Sequence, residues 1–440
     1  MLKTCLLIML SLTLVFPLEI LKAATPENSP EQLSLAKCLE LSFQNSQPLK
    51  LATENLKLAK EYIREAESKY WPLITYEYGY QHTNPGELWF INPYTMDWQR
   101  KPEEGYGASV TLTQPIFTGG KIAANLAIAK QQLNVAVEEE RKAKQQLVFN
   151  IKEAYYGVWL AEQELNIAKT AYDNMEQHVQ QIQKLRQIGN SSKFDLLSAQ
   201  VQRDRLKPLF IKAGNQLAFT KLTLATLIGY GKKHLYTITN DDSLMTLPFK
   251  NEISIDDALT KAYEMRPEMR QVKQSFNVTR QQLKIAKAGY LPDLALSLKY
   301  NAEGLESSVS EETRWIFTIG LSGVFFDGFG TQARVQQAET GIRMIQMKEA
   351  DLQDRIRLEV EQSLQSLDEC LEIIHANQSN IDLAKESLRM TKIRFEAGLA
   401  TTMDIVDSQL ALDEALNGYF EGLYHYILAG ARFNLVTGQD

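Results

Sequence analysis

The chain carries one unit twice. Ser34, Leu39, Tyr70, Pro72 and Tyr80 recur as Ser254, Leu259, Tyr290, Pro292 and Tyr300, at a constant offset of 220. Further along, Gly119, Gly189, Asp195 and Gln200 recur as Gly328, Gly398, Asp404 and Gln409, at an offset of 209. The change of 11 has one location, where the 25-residue segment 81–105 is matched by the 14-residue segment 301–314. A surface loop absorbs such a difference at little entropic cost. Any fold must therefore be assembled from two copies of a unit of about 200 residues. They are expected at 24–230 and 253–440, joined by a polar connector at 231–252.

Both copies read alike. A short helix ends near Pro48 or Pro267, and a longer one runs to Tyr70 or Gly289. Trp71-Pro72 and Leu291-Pro292 then stop the helix, because proline lacks the amide donor and restricts the residue before it. A period of two follows: Ile74, Tyr76, Tyr78 and Tyr80, then Tyr106, Ala108, Val110 and Leu112. The second copy offers Leu294, Leu296, Leu298 and Tyr300, then Trp315, Phe317, Ile319 and Leu321. This alternation predicts strands at about 73–81, 106–114, 293–300 and 315–323, each with one apolar face and one small or polar face.

A glycine stop follows each hairpin, and then a very long helical stretch. Residues 121–188 hold no proline and a single glycine, Gly157; at 1.5 Å per residue they make roughly 100 Å of helix. Helices are expected at 121–188, 193–229, 331–397 and 402–436. Ile151, Ala154, Val158, Ala161, Leu165, Ala168, Tyr172, Met175 and Val179 form a coiled-coil seam, matched by Val360, Ser363, Leu367, Cys370, Ile374, Asn377, Ile381, Ala384 and Leu388. Both seams are preceded by two steps of four (Ala143-Leu147-Ile151 and Leu352-Ile356-Val360), a stutter that unwinds a supercoil locally.

Composition narrows the function. Acidic residues exceed basic ones by 54 to 47, which argues against nucleic acid. Cys5, Cys38 and Cys370 show no C-x-x-C spacing, and the five histidines show no H-E-x-x-H, so no metal site, cofactor or disulfide scaffold is expected. Gly119-Gly120-Lys121 is followed by Ile122 where a phosphate loop needs Ser or Thr, and no G-x-S-x-G occurs; no enzyme is expected. Lys3, the apolar stretch Leu6 to Phe16, and Ala23-Ala24 have the order of a secretory signal at 1–23. A membrane anchor is the alternative, but the stretch is short for a bilayer.

Two hairpins in an exported chain can pack on helices, as in a soluble domain, or cross a membrane. The strands are long enough to cross and carry Tyr and Trp at their ends, where interface girdles sit. A membrane strand cannot leave an open edge, and four strands cannot close a barrel of about eight or more. Three copies would supply twelve.

With these features the chain resembles the TolC family of trimeric outer-membrane efflux proteins, the outer membrane factors. The resemblance rests on the two repeats, on Gln114-Pro115-Ile116-Phe117-Thr118-Gly119-Gly120, and on the tips Leu185-Arg186-Gln187-Ile188-Gly189 through Asp195 and Ile393-Arg394-Phe395-Glu396-Ala397-Gly398-Leu399 through Asp404. It implies a mainly α fold with a membrane β-hairpin per repeat. As a homotrimer this would form a 12-stranded barrel, surrounded by outer-membrane lipid, and an α-helical periplasmic tunnel. The partners implied are a periplasmic adaptor (membrane fusion) protein and an inner-membrane pump of the RND, ABC or a similar class. The function implied is the passive exit duct of a tripartite efflux or type I secretion system. A non-conducting periplasmic tether is the alternative.

Residue roles follow the same resemblance. Gly189, Asp195, Gly398 and Leu399 belong to the tips that would dock an adaptor. Asp404 and Asp407 lie three apart on one helix face, and the family's acidic pair at these positions narrows the entrance. Six carboxylates in a trimer would attract cations and titrate together, some with raised apparent values. Some relatives lock the tip with an arginine and a tyrosine where this chain has Ala400 and Phe395, which would leave Asp195 without those partners. Pro208 is expected to kink or interrupt its helix, Cys370 to be a small seam residue, and loop 81–105, with Trp89, Phe90, Tyr94 and Trp98, to be an ordinary external loop.

Overall fold

The computed structural model describes residues 31–82, 89–91, 96, 98–100, 104–230, 236–239, 254–304 and 312–439. The signal expected at 1–23, most of connector 231–252 and parts of segment 81–105 lie outside the described residues.

Strand β1 (Glu31–Leu33) leads to α1 (Leu35–Asn45) and α2 (Gln47–Ser68). The Ser34 and Ser46 side chains accept from the Lys37 and Leu49 amides, capping both helices. Pro48 stands in the first turn of α2, where its missing donor costs nothing. Strand β2 (Leu73–His82), the short pair β3 (Trp89–Ile91) and β4 (Trp98–Arg100), and β5 (Glu104–Phe117) follow. Segment 81–105 thus carries a small antiparallel hairpin of its own, where a plain loop was expected. Next come α3 (Lys121–Gln187), α4 (Lys193–Leu227) and β6 (Tyr236–Ile238), a strand within the connector that pairs in parallel with β1. The second copy supplies α5 (Ile255–Met265), α6 (Pro267–Lys287), β7 (Asp293–Gly304), β8 (Glu312–Ser322), α7 (Gly330–Glu396) and α8 (Thr402–Thr437). Helix α4 runs through Pro208 without interruption. One lost hydrogen bond is outweighed by packing on α3 along the length of the helix.

The four long strands form one antiparallel sheet in the order β2-β5-β7-β8, so the two hairpins are zipped together by β5 and β7. Its register aligns like with like. One face carries the rows Tyr76–Val110–Tyr300–Trp315 and Ile74–Leu112–Leu298–Phe317. The other carries Glu77–Ser109–Asn301–Arg314 and Thr75–Thr111–Lys299–Ile316. Tyr80–Tyr106 and Tyr300–Trp315 are cross-strand ring contacts with centroids 5.0 and 4.7 Å apart. Among the described residues no helix covers the apolar face: Trp315, Phe317, Ile319 and Leu321 are 63–69% exposed. The arrangement of a soluble domain, with this face packed on helices, is therefore not the one adopted.

The main core lies where α1, α5, β1 and β6 wrap the middle of the long helices, around Leu33, Cys38, Ile151, Tyr155, Leu224, Tyr426 and Phe433. Tyr155 donates to the Thr239 carbonyl at 2.9 Å, tying α3 to the connector. On α7 the seam residues Val360, Ser363, Leu367, Cys370, Ile374, Ile381, Ala384 and Leu388 are buried, with Asn377 half-buried. Burial pushes the Cys370 thiol up, as for a packed core residue. On α3 the buried row shifts instead. Leu165, Ala168 and Tyr172 are half-buried, while Ile167, Ala171, His178 and Ile182 are buried alongside the predicted Met175 and Val179. The cause is a second neighbour, since α3 packs on α8 as well as on α4.

Candidate functional site: the paired helical tips

The α3–α4 and α7–α8 turns end the molecule away from the sheet, and they are built alike. Gly189 and Gly398 take left-handed backbone (φ +83 and +72). The Gly189 amide donates to the Arg186 carbonyl (3.0 Å) and the Asn190 amide to Leu185 (2.9 Å). Gly398 and Leu399 repeat the pattern to Phe395 (3.0 Å) and Arg394 (2.8 Å). This closes each helix with the paired bonds that a left-handed glycine permits.

The returning helices start on matching capping boxes. The Asp195 amide donates to Ser192 Oγ at 3.1 Å, and Asp195 Oδ2 accepts from the Ser192 amide (2.9 Å) and hydroxyl (2.7 Å). Asp404 does the same with Thr401: amide to Oγ1 at 3.3 Å, Oδ2 accepting at 2.7 and 2.8 Å. These bonds stabilise the ionised form. The backbone amides of Ser192 and Thr401 are the main cause that holds each carboxyl below its ordinary value, with a smaller contribution from Arg394 at Asp404. Ser191 adds a bond to Asp195 at 3.3 Å, so every partner of that carboxylate lies in its own turn. Asp407, one turn on, is exposed and accepts no hydrogen bond among the described residues. Asp404 and Asp407 thus differ: one is committed to a cap, the other is not.

The two tips touch through residues that sequence reasoning passed over. His178 Nε2 lies 3.4 Å from Thr402 Oγ1, and its ring meets Phe395 edge-on with centroids 4.7 Å apart. Asn174 donates to Gln409 Oε1 at 3.1 Å, and Gln409 donates on to Asp413 at 2.7 Å. Phe395 also packs on Val179, Ile182, Leu196 and Ala199 of the first tip. A cavity of about 170 Å³ opens between Asn174, His178, Lys392, Phe395, Ile405 and Gln409. Burial, reinforced by Lys392, lowers His178 to about 4, so it is neutral here. Burial raises Asp413 to about 6. The position of Phe395 thus bridges the repeats by apolar contact, and the polar link passes through His178 and Asn174. The one sequence signal was spacing: Ala171, Met175, His178 and Ile182 fall at steps of four, three and four.

With this geometry established, comparison with known proteins is direct. A family model described as outer membrane efflux protein matches the chain twice, over residues 38–230 and 258–439. The alkaline protease secretion protein AprF of Pseudomonas aeruginosa is 23% identical over 419 residues, covering 92% of this chain and 84% of that protein. The outer membrane protein TolC of Vibrio cholerae is 21% identical, covering 94% and 88%. A crystal structure of CusC superposes with a TM-score of 0.79 at 17% identity, over 92% of both chains. That likeness is one of fold.

Proposed function

The chain belongs to the outer membrane efflux protein family, and from that premise we propose that three copies form the passive exit duct of a tripartite efflux or type I secretion system. The protein sits in the outer membrane, with its helical part extending into the periplasm. The observation that carries the proposal is the sheet. Its four strands align one aromatic and aliphatic face against one bearing Glu77, Lys299 and Arg314, and β2 and β8 are left as open edges. Strands cannot end on open edges in lipid. Pairing β8 of one copy with β2 of the next makes a head-to-tail contact that closes as a ring. Three copies give twelve strands, apolar outward and polar inward. Helices roughly 100 Å long continue that cylinder into the periplasm.

At the far end the tips form the entrance. Gly189, Asp195, Gly398 and Leu399 shape the turns offered to a periplasmic adaptor, which joins the duct to an inner-membrane pump. Asp404 and Asp407 supply a ring of six carboxylates. The cap keeps Asp404 ionised, and Asp407 is the carboxylate free to meet a cation. The duct performs no chemistry of its own, so the energy for transport comes from the pump.

Single-channel conductance of the purified trimer in a planar bilayer tests this. Small cation-selective currents blocked by divalent cations are expected, and Asp404→Ala with Asp407→Ala should enlarge them and weaken the block. Verified trimers that stay silent, in the native and the doubly substituted form alike, would favour the non-conducting tether.

A further inference from the structure

Between α7 and α8, on the side away from the main core, the helices leave a groove of about 600 Å³, a size that suits one drug-sized molecule. It runs from Gly418 to Arg432 on α8, about 20 Å of helix. Its floor is small and largely apolar, with Gly422, Ala429 and Cys370 buried there. Gly418 and Gly422 close one end by letting α8 approach α7, since an added Cβ would meet Asn377 at 2.9 Å and Ile374 at 3.1 Å. At the other end Arg432 lies over the Phe149 ring, 5.8 Å from its centroid.

The rim is acidic. Glu369 and Glu421 are exposed and make no hydrogen bond or ion pair among the described residues. Their charge is felt close by. Burial and then Glu369 push the Cys370 thiol up, and burial and then Glu421 raise the Glu164 carboxyl on α3. Duplication supplies a control. At the matching positions 209 residues earlier stand Leu160 and Lys212, and Leu209 and Ala213 replace the two glycines. One pair of helices, built twice, thus carries the acidic rim and its glycine end once. The core does not account for them. On α8 it takes Leu423, Tyr426 and Phe433, while Glu421, His425 and Arg432 stand about a third of a turn away and are exposed. A metal ion does not account for them either, because among the described residues no three acidic, histidine or cysteine side chains come together to hold one.

We propose that this groove is a binding site for an amphipathic organic cation of drug size, its charge held by Glu369 and Glu421 and its apolar body laid on Cys370, Ala429 and Leu428. Carboxylates at the rim attract the charge, and a small apolar floor receives the rest of the molecule. The proposal rests on the duct reading, in which α1 and α5 wrap the outside of the cylinder and this face lines the lumen. It names a class of cargo for that duct.

Tetraphenylphosphonium and tetraphenylborate share a shape and differ in the sign of their charge, so together they separate electrostatic recognition from apolar partitioning. The purified trimer in amphipol is expected to bind the cation saturably, one per chain, with no competition from the borate. Glu369→Gln with Glu421→Gln should weaken binding about tenfold, as two exposed charge pairings would. Bound cation should also slow alkylation of Cys370, read by mass spectrometry of the peptide that carries it. Equal binding of the two ions, an unchanged affinity in the double variant, or an unprotected Cys370 would each overturn the proposal. Conductance of the same sample keeps the two readings apart. Channel currents without saturable cation binding would overturn the groove and leave the duct standing. A silent trimer that binds the cation as expected would uphold the site and overturn the duct.

Discussion

The two long helices have the same length, begin at equivalent junctions and end in equivalent turns, yet they are buried differently. Helix α3 hides sixteen residues and α7 ten. The difference comes from neighbours, because α3 is flanked by α4, α8, α6 and α2, whereas α7 has α8 as its main neighbour, with α6 and α5 beside it. The far side of α7 therefore leaves Met344, Met347, Leu358 and Leu383 exposed, and that of α4 leaves Val201, Leu209, Phe219 and Leu222. Duplication gives each repeat the same local instructions, and position in the molecule decides which of them are met within one chain. The helical layer ends in two apolar faces just as the sheet ends in two open edges. A ring of copies would satisfy all four at once.

The largest predicted effect breaks that comparison at its open side. Leu222→Asp on α4, or Leu383→Asp on α7, should abolish the proposed trimer, because a charge buried without a partner costs several kcal/mol. Both side chains are exposed in the single chain, at 47% and 68%, so helix content should not fall. Light scattering in detergent checks the mass. Trimers that persist in both variants would remove the α4–α7 contact from the account.

How far the sequence foretold this asymmetry can be judged residue by residue. The α7 seam, from Val360 to Leu388, is buried almost as its spacing predicts, because one neighbour, α8, dominates its packing and one heptad stripe describes such a helix. The α3 seam drifts to Ile167, Ala171 and Ile182, since a second partner widens the buried arc and no single stripe encodes it. The fold class was legible for the same reason as the strands: alternation fixes which face a residue takes. Alternation does not fix which hairpins are neighbours, so the β5–β7 pairing was not. Pro208 does not interrupt α4, because local propensity yields to packing. At the tips the glycine turns were legible from conformational need. The His178–Thr402 and Asn174–Gln409 contacts were not, because they join residues more than 220 positions apart.

That contact allows a sharper comparison, now between the two sides of the tip. His178 is held neutral, its value lowered from 6.5 to about 4. Below pH 6.5 an opened or unfolded chain takes up the proton before the closed tip does. His178 therefore contributes its stability fully above pH 6.5, and this contribution falls as pH drops toward about 4. The linked loss is on the order of 3 kcal/mol. Asp413, raised to about 6 on the α8 side, works oppositely, adding stability as pH falls from about 6 toward its ordinary value. His178→Gln should therefore reverse the trend, leaving a tip that tightens on acidification. Amide hydrogen exchange of the α3 and α8 tip residues between pH 7.5 and 4.5 reads this directly. Unchanged pH dependence in the variant would mean that His178 does not titrate across this range.

The smallest effects test whether the twin caps are equivalent. Ser192→Ala and Thr401→Ala each remove an N-cap hydroxyl and the bond it gives to the aspartate three residues on. Each should cost about 1 kcal/mol, read as a similar drop in thermal midpoint. Equal losses would say that the turns are the same device used twice. Their effects on conductance should nevertheless differ. Thr401→Ala removes the hydroxyl bond to Asp404 but keeps the amide bond, so it loosens Asp404 beside Asp407 and should modestly strengthen block by divalent cations, because a less committed carboxylate pair binds a cation better. Ser192→Ala loosens Asp195, which keeps the Ser192 amide and the Ser191 hydroxyl and has no second carboxylate within the next turn, and should leave the block unchanged. Asp407→Ala completes the series, weakening the block without touching a cap or the midpoint. If Thr401→Ala and Ser192→Ala altered the block alike, the acidic entrance would belong to both repeats, and the distinction between Asp195 and Asp404 would vanish.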